Sequence, residues 1–229
     1  RFEPDLLWND IDWPDAGKAD DEFGLAAMLR RYFDRVPHGT INDRWGVPLH
    51  GFHTREYMHV DGIPEHPWES TRGLGRSFGI NEAEGPEESL SGEELARLLV
   101  DVVARGGNLL INVGPRADGS IPEVQAAAMQ GLGAWMGEHA RFVLGTRPWL
   151  RVDDRADWRA LRAAGAVHLL ALAPDRGAVP IPHELAGRRW RWPDGREAEQ
   201  RDEGGAQSLV IPDALRGLPV AVATTQELR

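Results

Sequence analysis

Residues 91–113 read S-G-E-E-L-A-R-L-L-V-D-V-V-A-R-G-G-N-L-L-I-N-V, and this stretch decides the class of fold. Ser91 and Glu94 have the S-x-x-E spacing of a capping box, in which each side chain accepts from the other residue's backbone N–H. Leu95, Leu98, Leu99, Val102 and Val103 then fall on one helical stripe. Gly106 and Gly107 supply a left-handed stop. Asn108 to Val113 is a continuous apolar run, as expected of a strand in a parallel sheet covered on both faces. A helix that feeds such a strand is a β/α unit.

The same alternation extends outward. Pro4 to Asn9 is short and apolar and reads as a buried strand ending at Asp10. Leu25, Met28, Leu29, Tyr32, Phe33 and Val36 mark an amphipathic helix, opened by the acidic turn Asp20–Asp21 and closed before Pro37 and Gly39. Thr40 to Trp45 is the next strand. Residues 46–70 hold no periodic element and contain four of the eight histidines; an irregular segment of that length inside a domain is usually functional or disordered. Residues 71–79 read as a weak, glycine-rich strand. Pro122 suits a helix first position, and Val124, Ala127, Ala128, Leu132, Trp135 and Met136 form its stripe. About four strands result, whereas a closed eight-stranded barrel needs about 250 residues. The expectation is half of a (β/α)8-like barrel or a small open sheet.

After Trp149 the texture changes. Val167–Ala173, Val179–Ile181, Arg188–Trp192, Ser208–Ile211 and Val220–Thr225 are short strand candidates separated by Pro and Gly turns, which suggests a small antiparallel β-sandwich. Charge marks the same boundary. Residues 1–149 hold 14 basic and 24 acidic side chains, and residues 150–229 hold 12 of each. The expected domains are 1–147, a partial barrel, and 148–229, a β-sandwich.

The chain of 229 residues has a formal net charge of −10, which argues against nucleic-acid binding, because phosphate neutralisation needs clustered Lys and Arg. It has no cysteine, so disulfides, Fe–S clusters and thiolate zinc sites are excluded. No apolar run approaches the ~18 residues of a membrane helix. The start at Arg1, running straight into strand-like sequence, reads as a cut end of something longer. Localisation is then unreadable, since a signal peptide would lie upstream.

Three polar residues sit where β/α folds place chemistry. Asp10, in W-N-D, lies just past a strand; a carboxylate there can be nucleophile, base, metal ligand or simply a turn residue. Arg44, in N-D-R-W-G, ends the second strand; it can hold an oxygen-rich ligand, or form a structural ion pair with Asp43 or another acid. Glu56, in F-H-T-R-E-Y, lies among His53, Tyr57 and His59, although a lone loop glutamate is most often a solvated one. His50, His53, His59 and His66 match no metal-binding spacing, and no metal site is assigned. Trp8, Trp45 and Trp68 lie near strand ends, where an indole face stacks on a sugar; core packing is the ordinary role of each.

Taken together, P-D-L-L-W-N-D-I-D-W-P (4–14), I-N-D-R-W-G (41–46), F-H-T-R-E-Y (52–57), W-E-S-T-R-G-L-G-R-S-F-G-I-N (68–81) and V-D-V-V-A-R-G-G-N-L-L-I-N-V-G-P-R-A-D-G-S-I-P (100–122) resemble the α-L-fucosidases of glycoside hydrolase family 29. The resemblance implies a retaining exo-hydrolase that releases terminal α-L-fucose from a fucosylated oligosaccharide or glycoconjugate, with no cofactor. It implies that Asp10 is the nucleophile and Glu56 the acid/base, with Glu69 a nearby competitor for the second role. It places Arg44, Trp8 and Phe78 around the sugar, Phe78 against the C5 methyl group. In the family, the residues that bind fucose hydroxyls come from the first half of the barrel, so a chain without that half is expected to be inactive alone. The chemistry needs two carboxyl groups about 5–5.5 Å apart, Asp10 ionised and Glu56 protonated until it donates. The alternatives are a non-catalytic carbohydrate-binding protein on a degenerate barrel and an unrelated α/β module with a β tail.

Overall fold

The structure is a computed structural model that describes residues 2–19, 21–149, 152–163 and 165–225. Arg1 and Asp20, named above, lie outside the described residues. The chain forms two compact units, Arg1–Met58 with Glu65–Thr71, and His59–Pro64 with Arg72–Arg229.

In the first unit the order is β1 (Leu6–Leu7), α1 (Leu25–Arg35), β2 (Thr40–Ile41), β3 (His53–Glu56) and β4 (Trp68–Gly73), whose first four residues belong here. β1 and β2 run parallel, with Leu6 opposite Thr40 and Leu7 opposite Ile41. A parallel pair needs a crossover, and α1 provides it. Its buried face, Leu25, Leu29 and Tyr32, joins Val36, Ile41 and Trp45 in one apolar core. The helix starts on Gly24 with no acidic residue in its first turn. Asp21 instead accepts from the Phe23 N–H in the preceding turn, at 2.9 Å.

Residues 46–70 are not devoid of regular structure. β3 lies inside them and pairs parallel with β4, Thr54 opposite Glu69 and Glu56 opposite Thr71. β3 reads H-T-R-E and carries no apolar side chain, so hydrophobic periodicity has nothing to register. The glycine-rich strand expected at 71–79 is shifted to Trp68–Gly73.

The second unit contains α2 (Gly92–Ala104), β5 (Gly107–Asn112), α3 (Glu123–His139), β6 (Arg147–Pro148), β7 (Trp158–Ala163), β8 (Ala166–Ala171), β9 (Ala178–Pro180), β10 (Trp190–Arg191), β11 (Gln200–Glu203), β12 (Ala206–Val210), α4 (Asp213–Arg216) and β13 (Ala221–Thr225). The capping box forms: the Glu94 N–H donates to Ser91 Oγ at 3.2 Å, and the Ser91 N–H to Glu94 Oε2 at 2.8 Å. Those Ser91 hydrogen bonds hold the Glu94 carboxyl below its ordinary pKa. Gly106, at φ +78°, is the left-handed stop, and Gly107 already opens β5. Pro122 is the N-cap of α3 rather than its first residue. Ala127 is exposed, unlike the rest of the expected stripe. α2 and α3 touch through glycines: a Cβ on Gly92 would stand 2.7 Å from Gly131 Cα.

The tail forms two antiparallel sheets, ordered β10-β13-β8-β7-β6 and β11-β12-β9. They share one core, in which Leu169, Ala171, Trp190 and Ala223 meet Val179, Leu209 and Ile211. The opposite face of the larger sheet, through Leu161, Leu170, Val220 and Val222, packs on Ala96, Val100, Trp135 and Phe142 of the helical layer. β8 is therefore apolar on both faces, which explains why its A-V-H-L-L-A run does not alternate. His168 within it is buried beside Thr224, at 2.9 Å, and burial lowers its pKa. β6, β7 and β11 were not marked by sequence pattern. β11 reads Q-R-D-E and is exposed throughout. β7 carries Arg159, a buried arginine that pairs with Asp101 at 2.6 Å. Among the described residues no helix is long and apolar enough to cross a membrane.

Candidate active site

Asp10, Arg44 and Glu56 come to one place because the ends of three strands deliver them. Asp10 lies three residues past β1, Arg44 three residues past β2, and Glu56 is the last residue of β3. Asn42, fully buried, ties the first two segments together. Its amide donates to the Asn9 carbonyl at 2.7 Å, and the Asn9 N–H donates back to its oxygen at 2.9 Å. This reciprocal pair is a side-chain substitute for a ladder just where both strands have ended.

Asp43 joins β2 to β3 in the same manner. Its Oδ1 accepts from the Thr54 N–H at 2.9 Å and from the Thr54 hydroxyl at 2.7 Å. Its Oδ2 accepts from His53 Nδ1 at 3.1 Å. Burial pushes the Asp43 carboxyl up, but the Thr54 and His53 hydrogen bonds outweigh it and hold the pKa below 3.8. Asp43 is therefore not the partner of Arg44. Its role is to orient Thr54, whose hydroxyl oxygen accepts from Arg44 Nε at 2.8 Å.

So held, Arg44 directs a single nitrogen at both carboxylates. Nη1 lies 2.6 Å from Glu56 Oε1 and 3.3 Å from Asp10 Oδ1. Because one atom touches both, those two oxygens are separated by no more than the two contacts end to end, below about 6 Å. For these two oxygens that bound admits the ~5–5.5 Å spacing of a closely paired set of catalytic carboxyl groups. The Asp10 side chain is 77% exposed, whereas Arg44 and Glu56 are 23% and 33% exposed. A carboxylate open to solvent on one side and fixed by a guanidinium on the other is placed to attack an incoming electrophile.

Trp8 borders this group. The Arg44 guanidinium carbon lies 5.2 Å from the centre of its ring, within cation–π range. Its indole N–H donates to Glu69 Oε1 at 3.1 Å. Glu69, 9% exposed on the face of the β3–β4 pair that also carries Thr54 and Glu56, has its pKa raised by burial, with the Trp8 bond acting in the opposite direction.

The remaining expected residues divide. Trp45 stacks on Trp13 at 5.7 Å in the core, and Trp68 is buried at the start of β4; neither is a free indole platform. His53 has His50 and His66 as ring neighbours, at 4.5 and 5.8 Å. His59 is in the second unit, with Asp61 and Asp154, all exposed. Their ligand atoms lie within 4.8 Å of one another, but Asp154 already accepts from the buried Arg105, whose positive charge opposes a cation there. Phe78 belongs to the second unit, half-buried, its carbonyl accepting from the Asn112 amide. Sequence reasoning did not single out Asn42 or Thr54. Their signal is only that polar residues fill strand-end positions.

A family model described as Alpha-L-fucosidase matches residues 1–141. Among curated proteins, the chain is 32% identical to human plasma alpha-L-fucosidase over 163 residues, covering 67% of this chain and 34% of that protein. It is 30% identical to an alpha-L-fucosidase of Dictyostelium discoideum over 153 residues, covering 65% and 33%. Among solved structures it is similar to Thermotoga maritima alpha-fucosidase in complex with a mechanism-based inhibitor, at a TM-score of 0.84 and 37% identity, over 97% of this chain and 52% of that one. The complex of that enzyme with fucose gives the same TM-score at 36% identity. The chain thus spans about a third of these curated relatives and about half of these structures. The likeness covers the α/β portion and the β portion together.

Proposed function

The chain belongs to the α-L-fucosidase family, and from that premise we propose that it carries the catalytic carboxyl pair of a retaining glycosidase that releases terminal α-L-fucose from fucosylated glycans. Residues 1–147 are the C-terminal half of a (β/α)8-like barrel, and 148–229 a β-sandwich. Asp10 attacks the anomeric carbon and forms a glycosyl-enzyme. Glu56 protonates the departing oxygen, then takes a proton from the water that cleaves the intermediate. Arg44 keeps the two carboxyl groups in register through the reaction, and Trp8 borders the sugar. Residues beyond this chain complete the pocket for the fucose hydroxyls, so the 229 residues alone turn over little or no substrate.

One observation carries the reading: a single Arg44 nitrogen contacts both Asp10 and Glu56. A general binding protein has no need of two carboxylates held at this separation. Asp10→Gly in the complete enzyme tests it. Turnover should fall by several orders of magnitude and recover in part with added azide, which attacks the anomeric carbon in place of the missing carboxylate, while fucose binding persists. Unchanged turnover would refute the assignment. A protein that binds fucose and never turns it over, in either form, would be the carbohydrate-binding alternative.

A further inference from the structure

The second unit contains an open cavity of about 520 Å³ with no acidic residue in its lining. It lies at one end of the paired β sheets. Arg147 on β6 stands directly opposite Arg162 on β7, and Arg188, just ahead of β10, is the third cation on its wall. Trp149 and Val167 supply apolar surface: Val167 is in the shared core, and Trp149 packs against that core. Among the described residues none of the three guanidinium groups is paired with a carboxylate, although acidic side chains exceed basic ones by ten in the chain as a whole.

Like charges placed opposite one another across an antiparallel pair oppose folding, and surfaces usually intersperse the two signs. An arginine cluster around a concavity, with no counter-charge among the described residues, attracts anions by its own electrostatics. The guanidinium fork matches the paired oxygens of a carboxylate or sulfate. The indole adds a face suited to the C–H side of a sugar ring. The volume falls within the ~300–1,000 Å³ of small-molecule sites. Three arginines in one hollow are too few and too local for a nucleic-acid track, which needs an extended basic stripe.

We propose that this cavity is a second carbohydrate site, separate in its residues from the Asp10 group, and that it binds a saccharide unit bearing a carboxylate or sulfate. The anionic group sits among Arg147, Arg162 and Arg188, and the sugar ring lies on Trp149.

Calorimetric titration of the full chain tests this with four probes: a glucuronate-terminated disaccharide, a 6-sulfated galactose-terminated disaccharide, its neutral counterpart and inorganic sulfate. At least one charged sugar should bind about tenfold or more tighter than the neutral one, and the two charged arms identify which anion is preferred. Arg162→Gln and Arg188→Gln should each weaken that binding about tenfold, with unchanged melting, and added salt should weaken it further. The Trp149 indole N–H resonance should move with the charged sugar and stay in place with sulfate. The proposal is overturned if no charged sugar binds, if the neutral sugar binds as well, if inorganic sulfate matches the sulfated sugar, or if both folded arginine variants retain full affinity. None of these outcomes depends on hydrolysis at Asp10.

Discussion

Thr54→Val removes one hydroxyl and keeps the strand's β-branched shape, and its consequences can be worked from the site. The hydroxyl donates to Asp43 at 2.7 Å and accepts from Arg44 Nε at 2.8 Å. Hydrogen bonds to charged partners contribute about 1.5–3 kcal/mol each to stability. Arg44 is 23% exposed, so water recovers part of its share, and the expected loss is about 2–3 kcal/mol at neutral pH. With a urea dependence of ~1–3 kcal/mol per molar, the midpoint should fall by about 1 M. The effect should also depend on pH in a fixed direction. Asp43 has a folded pKa below its ordinary 3.8, so its contribution is present above that value and lost as pH falls through the folded pKa. The variant lacks one bond to the charged carboxylate, so its Asp43 pKa should move up toward 3.8, and the gap between the two proteins should narrow in acid. Urea unfolding at several pH values and a carboxyl-carbon NMR titration of Asp43 measure both effects. A loss below about 0.5 kcal/mol, the range of an ordinary surface change, would show that Thr54 does not hold this network.

Three further outcomes follow from the same geometry. In the complete enzyme Glu56→Gln should lower turnover about 10²–10⁴-fold for substrates with poor leaving groups, and far less for activated aryl fucosides, whereas Glu69→Gln should leave that leaving-group dependence unchanged; the reverse pattern would transfer the acid/base role to Glu69. Glu69→Gln should also flatten stability against pH: burial raises the Glu69 pKa, so the native protein loses stability as pH rises above 4.5, and the variant should not share that loss in urea unfolding at pH 4.5 and 7. Arg105→Met should destabilise the second unit by about 3 kcal/mol, because Arg105, 2% exposed, binds Asp101, Asp154 and the Val60 carbonyl at once; a change within experimental error would mean the three partners are satisfied without it.

The legibility of the sequence followed the burial of its apolar side chains. α1 and α2 bury one stripe each, and β8 is an apolar run buried on both faces. β5 is an apolar run too, but it is not covered on both faces as expected, since Leu110 is exposed. All four could be placed within a residue or two from spacing alone. β3 could not, because H-T-R-E meets polar partners on each of its described contacts: Thr54 on Asp43 and Arg44, His53 on Asp43, Glu56 on Arg44. β7 was hidden by Arg159, whose charge is neutralised by an aspartate on a distant helix. The same limit applied to the site. Asp10, Arg44 and Glu56 stood out by motif, but Asn42 and Asp43 act through partners far away in sequence, and nothing local distinguishes a buried clamping amide from a turn residue. Trp45 shows the converse: its place near a strand end suggested a sugar platform, and stacking on Trp13 makes it core.

In the proposed mechanism Asp10, one of the two carboxylates that share Arg44, is the residue that bonds to the sugar. The direct measurement is to inactivate the complete enzyme with a 2-deoxy-2-fluoro-fucosyl donor carrying a good leaving group, digest it, and locate the added mass by tandem mass spectrometry. One deoxyfluorofucosyl group on the peptide containing Asp10, fixed to that side chain, is the expected result. The same mass on another carboxylate, or steady turnover of an active enzyme with no covalent label, would contradict the account.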